Sequence, residues 1–449
     1  MTYIRENHIM YKNLTQGNIA KGLFFFALPM IAGNLLQQFY NIADTLIVGR
    51  ILGKDALAAV GSAYSLMTFL TSIFLGLSMG SGALFSIYKG KNNMQNLRIS
   101  IFHAFGLIMG ITICLNIFIY IFLDPILHLL QVPNSVYQGM RSYLIVIFAG
   151  IIGTSLYNFF SCLLRALGNS SIPLLFLGIS SVLNIGLDLL FVAVFSMGIA
   201  GAALATIIAQ YLSGIGISLY VLLSCKELLP HPEEMHFHRN ILKEIMNLST
   251  LTCLQQSVMN FGILMIQGLV NSYGAVIMAA FAAAVKIDTF AYLPVQDFGN
   301  AYSTFIAQNY GAGNKERIHQ GTKIAFAMSI VFSLIISLLV FLFAEPLMKI
   351  FVSAKEVQVI SAGVHYLRIE GCFYLGIGCL FLFYGYYRAI KQAQMSLLLT
   401  CISLGLRVLL AYTLSPLFGV SAIWAAIPIG WVLADLTGLM LMRTRFYAA

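Results

Sequence analysis

The sequence predicts an all-α membrane protein with twelve transmembrane helices in two pseudo-symmetric six-helix bundles. Three observations carry that expectation. Of 449 residues, 59% are apolar and only 9% are charged, with a mean hydropathy of +0.88. Soluble domains carry about 25% charged residues, and disordered chains are more polar still, so both classes are excluded. The apolar residues gather in twelve continuous runs, each about as long as a helix needs to cross the hydrocarbon core. The last six runs repeat features of the first six at a near-constant offset.

Bounded by polar or Gly/Pro turns, the runs fall at 21–49, 56–87, 99–122, 142–164, 172–194 and 198–224, then at 245–270, 276–307, 324–343, 366–387, 395–414 and 419–440. As helices they satisfy their own backbone groups in lipid. The longer ones are expected to tilt or to extend into the interface. Barrel strands are excluded, because they would be about ten residues long and would alternate in polarity. The first 20 residues are polar and the first apolar run is long enough to span, so a cleavable leader is not expected.

Lys and Arg set the orientation. With the amino terminus inside, 17 of them lie in inward segments, among them Arg5, Lys12, Arg443 and Arg445, and 6 lie in outward segments. Lys286 and Arg407 fall within runs. The positive-inside rule then puts both termini in the cytoplasm. The net charge of +9 therefore reflects topology, and no nucleic-acid partner is expected. The seven cysteines are scattered without a C-x-x-C pair and read as packing residues.

A polar stretch at 225–243 divides the chain. The expected organisation is an amino-terminal lobe at 1–230, a cytoplasmic linker at 231–243 and a carboxy-terminal lobe at 244–449. His231, His236 and His238 are read as part of a solvated loop rather than a metal site. Shifting the second half back by 221 positions lays Asn-Tyr-Gly-Ala-Gly-Asn (309–314) over Tyr-Lys-Gly-Lys-Asn-Asn (88–93), and Gly419 over Gly198. With small gaps, Arg388 matches Arg165, and Ile-Ser-Leu-Gly-Leu-Arg (402–407) matches Leu-Asn-Ile-Gly-Leu-Asp (183–188). Six helices preserve direction, so the lobes should be parallel repeats about an axis along the membrane normal, as in rocking transporters.

Ionisable groups inside spans are expensive, and each marks a functional candidate. Asp44 in the first run shares a helical face with Gln37, Tyr40 and Asn41. Asp188 in the fifth stands one turn after Asn184, and Thr206 and Gln210 are one turn apart in the sixth. These oxygens suit a proton or a small monovalent cation. Two adjacent carboxylates resist joint ionisation, so such a pair favours holding one or the other. Pro29 interrupts the first run about four turns before Asp44 and is expected to act as a hinge. In the second half, Lys286, Asp288, Glu370 and Arg407 are charged candidates, in a setting where opposite charges can neutralise one another. Arg407 occupies the repeat position of Asp188, so the two lobes should do different work. Walker A, His-Glu-x-x-His and dinucleotide motifs are absent, and no enzyme activity is expected.

Ala-Leu-Pro-Met (27–30), followed by Asn-Ile-Ala-Asp-Thr-Leu-Ile-Val-Gly (41–49), resembles the first helix of the multidrug and toxic compound extrusion (MATE) family. Leu-Arg-Ala-Leu-Gly-Asn (164–169), the 183–188 motif, Gly-Ile-Ala-Gly-Ala-Ala-Leu-Ala-Thr (198–206) and Ala-Gln-Asn-Tyr-Gly-Ala-Gly-Asn (307–314) fit the same family, in order, over about 21–440. The resemblance implies a two-lobed antiporter that expels organic, often cationic, compounds in exchange for H⁺ or Na⁺. By motif position Asp44, Asn184, Asp188 and Thr206 look like the family's cation-coupling residues. Gln256 stands near where some branches carry an acid, which makes the chain resemble the DinF-type branch and weakens any second-lobe Na⁺ site. Gln37, Tyr40, Asn41, Asn158, Gln210 and Gln256 are the candidates for the substrate cavity.

The resulting expectation is a monomeric, multi-pass inner-membrane exporter with no cofactor, whose partners are small organic substrates and the bilayer. A lipid-linked oligosaccharide flippase is one rival reading and predicts a basic cavity, whereas the first lobe is acidic. A non-transporting receptor or scaffold is the other, and predicts no ion-dependent flux.

Overall fold

The computed structural model describes residues 13–129, 132 and 134–446; Arg5 and Lys12 lie outside them, as do the side chains of Lys54, Arg443 and Arg445. The described residues of the first half form α1 (Ile19–Ile51), α2 (Lys54–Gly90), α3 (Met94–Leu129), α4 (Asn134–Ala149), α5 (Ile151–Ala166), α6 (Ser171–Asp188) and α7 (Gly198–Ser224). The second half forms α8 (Arg239–Asn271), α9 (Ala275–Gly311), α10 (Lys315–Phe351), α11 (Val357–Gly371), α12 (Tyr374–Ala389), α13 (Ala393–Phe418) and α14 (Val420–Phe446). Ten of these elements are each long and apolar enough to span a membrane. The pairs α4–α5 and α11–α12 complete a set of twelve spans.

Those two pairs differ from the sequence expectation of single continuous helices. They bend by 46° and 51°. The breaks fall at Gly150 and just after Gly371, and these two glycines are 221 positions apart. At each break the ladder tightens: Gly150 N–H donates to the Ile147 carbonyl and Phe373 N–H to the Glu370 carbonyl, both at 2.9 Å. Apolar periodicity does not register such a break, because both half-helices stay in lipid.

The repeat reaches the turns. Gly53 and Gly274, Asn92 and Gly313, and Gly198 and Gly419 all have positive φ, and each pair keeps the same 221-residue spacing. Only Gly, and less readily Asn, adopts this conformation without strain. Asn93 and Asn314 then start α3 and α10 alike, their side chains accepting the N–H of Asn96 at 2.9 Å and of Arg317 at 3.2 Å.

Two compact units result. The first comprises 1–61, 81–242 and 307–318, and the second 62–80, 243–306 and 319–449. In the first, α1 packs on α6, α6 on α7, and α4 and α5 on α7. There, too, the ends of α2 and α9 cross so closely that a Cβ on Gly90 would lie 1.9 Å from the Gln308 carbonyl oxygen, and one on Gly311 2.0 Å from that of Ile87. Gly90 and Gly311 are repeat partners, as are Ile87 and Gln308, so the crossing is reciprocal. In the second unit α13 packs on α14, and α12 on both. Its core includes Trp424, stacked on Phe281 at 5.4 Å and edge-on to Tyr366 at 4.8 Å.

The linker is bound more tightly than a solvated loop. Glu234, 6% exposed, accepts two bonds from Arg98, Nε at 2.7 Å and Nη2 at 2.5 Å. It also accepts the His231 N–H at 3.0 Å. The backbone N–H of His238 donates to His103 Nε2 at 3.0 Å. His103 Nδ1 therefore carries the ring proton and donates to the Ile99 carbonyl at 2.9 Å.

Candidate cation site in the first unit

Packing of α1 against α6, and of α6 against α7, brings Asp44, Asn184, Asp188 and Thr206 into one region. Asn184 and Asp188 are one turn apart and project from one face of α6. Asp188 is its last regular residue; Leu189–Val194 continues as a π-helix. The wider turn re-aims the side chains at its start, a distortion that recurs at functional sites. No sequence signal marks it.

Asp188 is fully buried and Asn184 is 2% exposed. The carboxyl groups of Asp44 and Asp188 are close enough for each to act directly on the other. Asp44 Oδ1, both oxygens of Asp188 and Asn184 Oδ1 are buried without a hydrogen-bond partner. Asn184 Nδ2 reaches Thr206 Oγ1 at 3.4 Å, and that hydroxyl donates to the Ala202 carbonyl at 3.1 Å. The ion pairs among the described residues, Arg98–Glu234, Arg141–Asp124, Lys349–Glu345 and Lys391–Glu244, include neither acid. Two facing carboxylates bond each other only when one is protonated; otherwise a cation must sit between them. The oxygen-only donor set suits a hard monovalent ion or a proton.

The remaining sequence candidates are spread out. Gln37, Tyr40 and Asn41 are half-buried along α1. The Asn41 carbonyl accepts the Thr45 hydroxyl at 2.7 Å. Asn158 donates to the Thr154 carbonyl of its own helix at 3.0 Å. Gln210 lies at the α4–α5 break, its Oε1 2.2 Å from where a Cβ on Gly150 would stand. Gln256 belongs to the second unit, where it packs near Met79. Pro29 sits within α1, which stays helical throughout. Of the charged candidates in the second unit, Asp288, Glu370 and Arg407 are brought together. Lys286 is separated from them: it is exposed, with its ammonium 6.0 Å from the centre of the Phe351 ring. The positions that sequence reasoning passed over are Tyr366 and Tyr374. Tyr366 was within reach, one turn before Glu370 on the same face.

A family model described as MatE matches residues 29–190 and again 252–413, once in each half. A probable multidrug resistance protein, YpnP, from Bacillus subtilis is 32% identical over 393 residues, covering 87% of each chain. The probable multidrug resistance protein NorM of Thermotoga maritima is 28% identical over 356 residues, covering 76% of this chain and 74% of its own. Among solved structures, a MOP superfamily transporter from Pyrococcus furiosus superposes with a TM-score of 0.92 at 22% identity, over 98% of both chains.

Proposed function

The chain belongs to the MatE family and is a multi-pass membrane protein of that transporter family, and on that premise we propose that it exports organic, often cationic, compounds by secondary antiport against H⁺ or Na⁺. The observation that carries this reading is the set of buried, unpartnered oxygens on Asp44, Asn184 and Asp188. An uncompensated carboxylate inside a spanning helix is costly, up to about 2.5–3.5 kcal/mol at the centre on insertion scales. A chain that keeps two buried carboxyl groups face to face, paired with no cationic side chain among the described residues, retains a place for an exchangeable positive charge.

In this reading Asp44 and Asp188 take up the ion from outside, with Asn184 and Thr206 as neutral oxygen donors. Export follows when the two lobes, 1–230 and 244–449, rock about the linker and expose the site to the cytoplasm, where the ion leaves and substrate enters. Ion and substrate must favour different states, or compete, for the exchange to be coupled. Gln37, Tyr40, Asn41 and Asn158 supply polar contacts for substrate, and Pro29 supplies the bend of α1. The protein acts as a monomer in the plasma membrane, with both termini in the cytoplasm, and needs no cofactor.

The test is flux in proteoliposomes under separately imposed proton and sodium gradients, with a panel of organic cations. Asp44→Asn should lose gradient-driven export by about tenfold or more, the equivalent of one charge-assisted interaction. Unimpaired export by that variant overturns the assignment.

A further inference from the structure

The second unit holds another buried acid pair with a different neighbour. Asp288 on α9 is 3% exposed, and Glu370, one residue before the break in its span, is 6% exposed. The Tyr374 hydroxyl donates to Asp288 Oδ1. Tyr366, held edge-on against Trp424, lies within hydrogen-bonding reach of both acids. Asp288 Oδ2 and Glu370 Oε2 remain buried without a partner. Facing them is a cation: Arg407 on α13, 9% exposed, acts through its charge on both carboxyl groups. Its own Nε is buried and unbonded, and none of the ion pairs among the described residues includes it. A Cβ on Gly430 of α14 would lie 2.3 Å from the Ser403 carbonyl oxygen and 3.5 Å from Arg407 Cβ, so the crossing of α14 over α13 pins the base of this arginine.

The two acid pairs therefore differ by one charge in their surroundings. Two carboxyl groups that share a proton carry one negative charge between them. Among the described residues, no ion pair gives Asp44 or Asp188 a cationic side chain to cancel it. Asp288 and Glu370 have Arg407, which stands at the repeat position of Asp188.

We propose that Arg407 is a built-in counter-ion: it supplies to the acids of the second unit the positive charge that the first unit draws from solution, so that Asp288 and Glu370 bind no exchangeable cation. Asp288, Glu370, Tyr366, Tyr374 and Arg407 then form a charge-balanced core that takes no exchangeable ion. The contrast between the units rests on the coupling reading of Asp44 and Asp188; the claim about Arg407 rests on the second unit alone. A guanidinium buried in a span with no anion nearby would be strongly destabilising, and here the anions are present.

The experiment uses purified full-length protein, with thermal unfolding followed in sodium or choline chloride at constant ionic strength and between pH 8 and 5. In an Asp44→Asn/Asp188→Asn background, Arg407 intact should give a melting temperature that is unmoved by replacing choline with sodium. Arg407→Gln in that background should gain a dependence on sodium or on falling pH of at least about 2 °C. Arg407→Lys should stay insensitive. If Arg407→Gln is too unstable to purify, Arg407→Gln/Asp288→Asn/Glu370→Gln should restore a stable and cation-insensitive protein, because it removes the single negative charge of the acid pair together with the positive charge of the arginine. An Arg407→Gln protein as insensitive as its parent, or a triple variant that fails to recover, overturns the proposal. Failure of the coupling reading is seen separately, as unimpaired gradient-driven export by Asp44→Asn.

Discussion

Asp188, one turn along the helix from Asn184, and Thr206, across from it on α7, are bonded differently. Both oxygens of Asp188 are without a hydrogen bond, whereas the Thr206 hydroxyl already donates to its own helix and touches Asn184 only at 3.4 Å. Removing charge from Asp188 should therefore matter more than removing a hydroxyl. Asp188→Asn is expected to reduce ion-driven flux by about tenfold or more. Thr206→Val should retain most of it, because a bond of 3.4 Å is weak. Side-by-side flux measurements of the two variants check the order. At this scale much was legible: a carboxylate inside an apolar run announces itself. That Lys286 points away from Asp288 also follows from their spacing. The partner of Arg407 did not follow, because it comes from helices 119 and 37 positions earlier in the chain.

Among the elements, close helix crossings and breaks set the shape. Gly90 admits the Gln308 carbonyl, and a larger side chain there must push α2 and α9 apart. Gly90→Val should destabilise the protein by about 1–3 kcal/mol, read as a lower melting temperature. Gly106→Ala on α3, where a Cβ meets nothing within 4 Å, should be neutral or slightly stabilising. Pro29 has no N–H to donate to the helical ladder. Pro29→Ala supplies one and should slow exchange without weakening cation binding. Wild-type transport rate and coupling in this variant would remove the hinge from the account. Element number and extent were readable because lipid demands long apolar helices. The breaks at Gly150 and Gly371 were not, since a bend changes direction without changing polarity.

For the molecule as a whole, the linker is where charge and fold meet outside the membrane. The two bonds from Arg98 hold the Glu234 carboxyl down at about 2, against an ordinary value of 4.5. A depressed folded-state value means stabilisation that is complete above about 4.5 and is lost as pH falls toward 2. Glu234→Gln should therefore expose the linker to limited proteolysis to the same extent from pH 8 to 5. The difference from wild type should narrow only below about 4.5. A gap that closes already between pH 7 and 6 would mean that another group controls the linker.

The sequence by itself determined the solvent, the number of spans, their repeat and which acids lie at membrane depth, because each depends on local composition and on spacing along one chain. Tertiary structure alone decided which of those charges meet. It set Asp44 against Asp188, paired with no cationic side chain among the described residues, and put Arg407 near Asp288 and Glu370. It also fastened the linker onto α3. The physical reason is range: hydropathy and helical periodicity act over a few turns, whereas a buried charge is balanced by whatever packing brings near it from elsewhere in the chain.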